Sequence, residues 1–217
     1  MDKDSRFRTG IIAGCVLLLL FVVFTLLVKT VDVAPVGFGG ERIGFSTVNA
    51  AMHESFPYNE GAYRFTQTLG YICLLVVAAN GLTAAIDFFR QKARISRMDP
   101  RNIITCAYYV VVGIIYVLFE LVVINNRPIA AEASFPSSHT MLALCVLYSE
   151  VELLGFRAEK YGFAASILRV ICVIAMVSMV VFRFLSGVHW FTDICGGVLI
   201  SLSLMCFYGT CIRRFCR

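Results

Sequence analysis

The chain has 217 residues, 59% of them hydrophobic and only 15% charged, with a mean hydropathy of +0.81 and a net charge of +5. A soluble domain does not tolerate that balance; at about 20 apolar residues per crossing, the length allows roughly six membrane spans with short connections. The basic residues sit in loops and form no stripe interleaved with aromatics, so no nucleic acid is expected as a partner and the lipid bilayer is.

In chain order, a polar start with Lys3, Arg6 and Arg8 precedes an uncharged apolar run at 11–28. That run is long for a signal-peptide core and is expected to be an uncleaved first span. Residues 30–61 hold Pro35, Gly37, Gly39 and Gly40, then Ile43, Val48, Met52 and Phe56 at near-helical spacing. This pattern predicts a short interfacial helix on the membrane surface, in the first outside loop, with His53 beside Glu54 on its wet face. Further apolar runs follow at 65–89, 103–124, 139–154, 167–182 and 190–211.

Charge sets the orientation. The densest basic segment, Arg90 to Arg101, lies between the second and third runs; Arg157 and Lys160 lie between the fourth and fifth, and Arg213, Arg214 and Arg217 close the chain. The opposite side would carry only Lys29, Arg42, Arg64, Arg127 and Arg183. Basic loops stay in the cytoplasm, so both termini are expected there. The fold class expected is an all-α membrane protein, six transmembrane helices in a bundle, with 1–217 as a single domain. None of the nine Cys falls in an outside loop, and free thiols are expected. The Cys and His spacings do not resemble a zinc site, and the acidic residues do not cluster as around Mg²⁺, so no metal is expected.

The unusual chemistry gathers in the short outside segments. Arg183, His189 and Asp193 follow the fifth run, with His189 and Asp193 four residues apart. If the next helix begins near His189, both lie on one face and the carboxylate can orient the imidazole, leaving the other ring nitrogen a free lone pair. Arg183 adds a guanidinium fork that matches phosphate oxygens. Upstream, Pro136-Ser137-Ser138-His139 reads as a helix start whose unpaired backbone N–H groups and dipole favour an anion. Arg127-Pro128 precedes it on the same face.

Together these three pieces resemble the motifs of the type 2 phosphatidic acid phosphatase superfamily. The third motif, an Arg, five residues, a His, three residues and an Asp, agrees in full; in the second, Pro-Ser-Gly-His, Ser138 replaces the glycine. The first motif departs: the family's Lys seven residues before the Arg-Pro pair is Glu120 here, a possible pocket modulator. The Ser that usually precedes the third-motif Arg is Phe182.

The resemblance implies hydrolysis of a membrane lipid's phosphate or diphosphate ester without metal or other cofactor, at the periplasmic or exterior face of an inner or plasma membrane. It implies His189 as nucleophile, Asp193 as its orienting carboxylate and His139 as proton donor and then base. Arg127, Arg183, the Ser137 hydroxyl and the Ser138 backbone N–H would hold the phosphoryl oxygens. Phosphatidate, phosphatidylglycerol phosphate and a polyprenyl diphosphate are the substrates implied. A phosphatase-like protein that binds lipid phosphates without turnover, or a small lipid transporter, is the alternative. The oligomeric state has no signal in the sequence.

Overall fold

The computed structural model describes residues 2–216, with the side chains of 157–161 left out. Its helices are α1 (Lys3–Thr30), α2 (Ser46–Ser55), α3 (Glu60–Arg90), α4 (Pro100–Leu121), α5 (Ser138–Leu185) and α6 (Phe191–Phe215). α5 contains two spans, Ser138–Phe156 and Gly162–Leu185, divided by a non-helical backbone at Gly162. With α1, α3, α4 and α6 they give, among the described residues, six helices long and apolar enough to cross a membrane. The loop expected at 155–160 is not found: the backbone of α5 stays helical there and breaks only at Gly162.

Most helices run past the apolar stretches that announce them. Polar residues close the open N–H groups at their starts: Asp2 accepts from the Lys3 N–H, Asn59 from Ala62, and Asp99 from Arg101 beside Pro100 in the first turn. α4 is the exception. It was expected to reach 124 but stops at Leu121, because the chain turns into a hairpin, β1 (Asn126–Arg127) against β2 (Ala130–Ala133), with Pro128 and Ile129 in the turn. An all-helical reading had no place for this hairpin, whose strands are too short to show an alternating pattern.

The first span of α5 and α6 form the centre of the bundle, each 50% buried against 17–22% for the others. α1 lies along α6, where Ser203 Oγ donates to the carbonyl of Gly14 at 2.8 Å. Phe135, 1% exposed, inserts after the hairpin among the rings of Phe21, Phe24 and Phe119. Gly196 makes room for it: a Cβ there would lie 2.5 Å from the Phe135 ring. This aromatic plug fixes the hairpin and the start of α5 against the start of α6.

α2 exists, but the face it turns inward is polar. Ser46 and Asn49 are buried while Val48 and Phe56 are exposed. Asn49 donates to Thr192 Oγ1 at 3.0 Å and accepts from the Thr192 N–H at 3.2 Å, which ties α2 to the first turn of α6. His53 is not on a wet face either: it is half-buried, its ring centroid 5.6 Å from that of Trp190, and burial holds its pKa below the ordinary imidazole value.

Candidate functional site

Arg183 organises the site. Its side chain is fully buried although it lies in the last turn of α5 rather than in the loop expected after 182. The helix continues through it because neighbours satisfy the guanidinium: Nη1 donates to Thr66 Oγ1 at 3.1 Å, Nη2 lies 3.0 Å from His189 Nε2 and 3.3 Å from His139 Nδ1, and the Tyr63 ring lies under the charge at 5.6 Å. Thr66 is oriented to accept, since its own hydroxyl donates to the Tyr63 carbonyl. Among the described residues no carboxylate pairs with Arg183, and its Nε is buried without a partner. A buried cation lacking a counter-ion is costly, and an anionic ligand would offset that cost.

A guanidinium can only donate, so His189 Nε2 and His139 Nδ1 must both be acceptors. His189 therefore carries its proton on Nδ1 and presents a lone pair from Nε2. Its pKa is held well below the ordinary value, first by burial and then by the charges of Arg183 and Arg127, so the ring is neutral. In the turn before His189, Gly187 has φ +64°, and a Cβ there would meet the Pro57 backbone at 2.6 Å, so a residue with a side chain would be strained and crowded.

Asp193 does not hold the imidazole directly. α6 begins at Phe191, after His189, and Asp193 Oδ2 caps the helix by accepting the Trp190 N–H at 2.9 Å. That leaves His189 Nδ1 3.6 Å from Asp193 Oδ2, beyond a good hydrogen bond. The Ser134 hydroxyl stands between them, 3.0 Å from Nδ1 and in a short hydrogen bond to Oδ2. Asn125 Nδ2 lies 3.4 Å from the other carboxylate oxygen.

The remaining expected residues divide. The backbone N–H groups of Ser138 and His139 make no hydrogen bond among the described residues and are available to an anion at the start of α5. Ser137 is engaged otherwise: its N–H donates to the Asp193 carbonyl at 3.0 Å and its fully buried hydroxyl accepts from Thr140 Oγ1. Ser137 therefore ties α5 to α6 through its N–H, and its hydroxyl, which accepts from Thr140, keeps its own proton to donate. Arg127 makes no direct bond to either histidine; it pairs with Glu132 at 3.0 Å across the hairpin, while its Nε is buried and unpartnered. Glu120 forms no ion pair with Arg127 or Arg183, is exposed at the end of α4, and borders a small recess with Tyr116 and Ser134.

Ser134, Thr66, Tyr63, Asn125 and Glu132 were not anticipated. The first four are ordinary residue types whose roles come from contacts between segments distant in sequence, and Glu132 meets Arg127 only because of the unanticipated hairpin. Among the described residues no three His, Cys, Asp or Glu side chains gather as metal ligands. Beside His139 opens a cavity of about 500 Å³ between α3, α4 and the first span of α5, walled mainly by apolar residues such as Leu74, Val77, Val112, Leu142 and Val146.

The fold is similar to the crystal structure of the first transmembrane PAP2 type phosphatidylglycerolphosphate phosphatase from Bacillus subtilis, at 19% sequence identity and a TM-score of 0.60, with 91% of this chain and 94% of that one covered. No curated protein matches the chain. The family model of the PAP2 superfamily matches residues 68–216, a stretch that contains the hairpin, both histidines, Arg183 and Asp193. On that match, and on motifs that meet around one buried cation, the chain belongs to the PAP2 superfamily.

Proposed function

We propose that the protein hydrolyses the phosphate ester of a membrane lipid without a metal ion, through a phosphohistidine on His189. The observation that carries this reading is the fully buried Arg183 guanidinium, with no carboxylate partner among the described residues and within hydrogen-bond reach of both histidines. A phosphoryl group is the ligand that uses all of it: a dianion for the charge, oxygens for the fork, and phosphorus for the lone pair on Nε2.

In the proposed reaction, Arg183, Arg127 and the free N–H groups at the start of α5 hold the phosphoryl oxygens. Nε2 of His189 attacks phosphorus as the bond to the lipid oxygen breaks. The substrate's negative charge offsets the repulsion from Arg183 and lets His139 hold the proton that leaves with the lipid alkoxide. His139 then takes a proton from water, the hydroxide displaces His189 from phosphorus, and inorganic phosphate departs. Asp193 keeps the imidazole oriented and offsets the charge it gains. Two guanidiniums stabilise the transition state as a metal otherwise would.

The cavity beside His139 supports a lipid substrate, since apolar walls suit a tail while the head group meets the charged end. The Bacillus subtilis relative supports a glycerophospholipid phosphate in particular, with phosphatidate and a polyprenyl diphosphate as the other candidates. The Lys and Arg distribution supports cytoplasmic termini and a site on the opposite face. Phosphate release from these three lipids in detergent, with chelator present and vanadate as competitor, tests the reading. Release from at least one, inhibited by vanadate and abolished by His189→Ala, is expected; chelator-sensitive release or activity surviving that substitution would falsify it.

A further inference from the structure

We infer that Ser134 is the positioning residue through which Asp193 acts on His189. The inference rests on the proposed role of His189 and adds the element that aims it.

Hydrogen-bond polarity carries the argument. Ionised Asp193 can only accept, so the single hydroxyl proton of Ser134 goes to Oδ2, and Ser134 Oγ then has only lone pairs to offer His189 Nδ1, 3.0 Å away. Nδ1 must therefore carry the ring proton. Arg183, on the opposite side of the ring, independently requires Nε2 to be unprotonated. Two separate constraints thus select one tautomer, the one with its lone pair facing the buried cation. The ring is pinned along a line from Asp193 through Ser134 and His189 to Arg183, all of it buried, with Ser134 at 3% and His189 at 4% exposure. Water cannot readily substitute for the hydroxyl there.

Ser134 is itself fixed on both sides. Its N–H donates to the Asn125 carbonyl at 2.9 Å across the hairpin, and its neighbour Phe135 is the aromatic plug. The hairpin therefore delivers Arg127 near the phosphoryl site and Ser134 behind the nucleophile. When Nε2 bonds to phosphorus the ring gains positive charge, and Nδ1–H donates more strongly to Ser134 Oγ while the serine proton stays directed at Asp193. No proton crosses the serine: it transmits orientation and polarisation, with every bond to hydrogen kept.

The test uses the full chain in detergent and two readouts. The first is a kinetic cycle of wild type, Ser134→Ala, Asp193→Asn and the double variant, measured by phosphate release. Ser134→Ala is expected to lower kcat roughly 10²-fold with KM within about twofold, and Asp193→Asn to cost less than about threefold more once Ser134 is gone. Losses that multiply, or wild-type kcat in Ser134→Ala, overturn the inference.

The second readout needs no turnover. With only three histidines in the chain, ring ¹⁵N resonances can be assigned by substituting His53 and His139. Because Arg183 still faces Nε2, His189 is expected as the Nδ1–H tautomer in both wild type and Ser134→Ala, but with its Nδ1–H proton and nitrogen shifts moved upfield in the variant as the serine acceptor is lost; unchanged Nδ1–H shifts in the folded variant overturn the inference. Ser134→Cys, a close isostere with a weaker donor, is expected to fall between the two in both readouts and serves if the alanine variant does not fold. Absent phosphate release from wild type, with the Nδ1–H resonance shift present in Ser134→Ala, would count against the hydrolase reading and leave the positioning role supported.

Discussion

Nη2 of Arg183 sits 3.0 Å from Nε2 of His189, so the nitrogen proposed to attack phosphorus is capped by a cation until a substrate arrives. Phosphoryl oxygens would draw the guanidinium's donors onto themselves and uncover the lone pair in the same event. Lysine cannot do this while also bonding Thr66 and His139, because an ammonium is a point charge without the planar fork. Arg183→Lys is therefore expected to lower kcat/KM by roughly 10²–10³-fold, the range for losing a transition-state donor. Steady-state phosphate release measures it, and a loss under tenfold would place Arg183 outside the reacting centre.

Gly70 on α3 faces the other histidine. A Cβ at this position would lie 2.9 Å from His139 Cδ2, tighter than ordinary contact, so Gly70→Ala must push the imidazole aside by a few tenths of an ångström. Misplacement of a reacting group by up to 1 Å costs as much as about 10²-fold, and about a tenfold fall in kcat is expected here. Thermal unfolding in detergent should move little. Wild-type turnover in Gly70→Ala would show that His139 need not hold its observed position.

Arg127 is shared between the site and Glu132, whose side chain is 62% exposed. An exposed pair is worth at most about 1 kcal/mol, so Glu132→Gln is expected to lower KM for a lipid phosphate by roughly two- to fivefold, with kcat nearly unchanged. The measurement belongs at low ionic strength, where the pair is screened least. A raised KM would mean that Glu132 positions Arg127 rather than competing for it.

Acid should destabilise the protein through His189. Burial, followed by Arg183 and Arg127, holds its native pKa well below 6.5, whereas in the unfolded chain the ring takes up a proton as pH falls through that value. The unfolded state then binds more protons, and stability declines below about pH 6.5 by up to ~1.4 kcal/mol per pH unit from this group, until the native ring also protonates. Thermal unfolding at pH 7.5 and 5.5 is expected to show a larger drop for wild type than for His189→Gln. Equal drops would show that the buried ring titrates as an ordinary imidazole does.

Composition and motif spacing made much of this molecule legible in advance. Six spans follow from apolar runs, and Arg183, His189, Asp193 and His139 stand out because charged or titratable residues beside such runs are rare. Helix ends were less legible, since caps such as Asn59 and Asp99 lie outside the apolar stretches. The link between His189 and Asp193 was misplaced for a similar reason: spacing put both on one helix, whereas Asp193 caps the Trp190 N–H and the helix starts beyond His189. Ser134 and Thr66 could not be read at all. Thr66 meets Arg183 across 117 positions, and a lone serine or threonine carries no mark of the partner that folding gives it.

The proposed intermediate can be sought directly. Full-length protein mixed with a ³²P-labelled lipid phosphate and quenched in alkali within one turnover should retain label in the acid-labile, alkali-stable form of a phosphohistidine on the peptide containing His189, and His189→Ala should retain none. Release of phosphate by wild type with no trapped label, or label retained in His189→Ala, would contradict attack on phosphorus by the nitrogen that Arg183 covers.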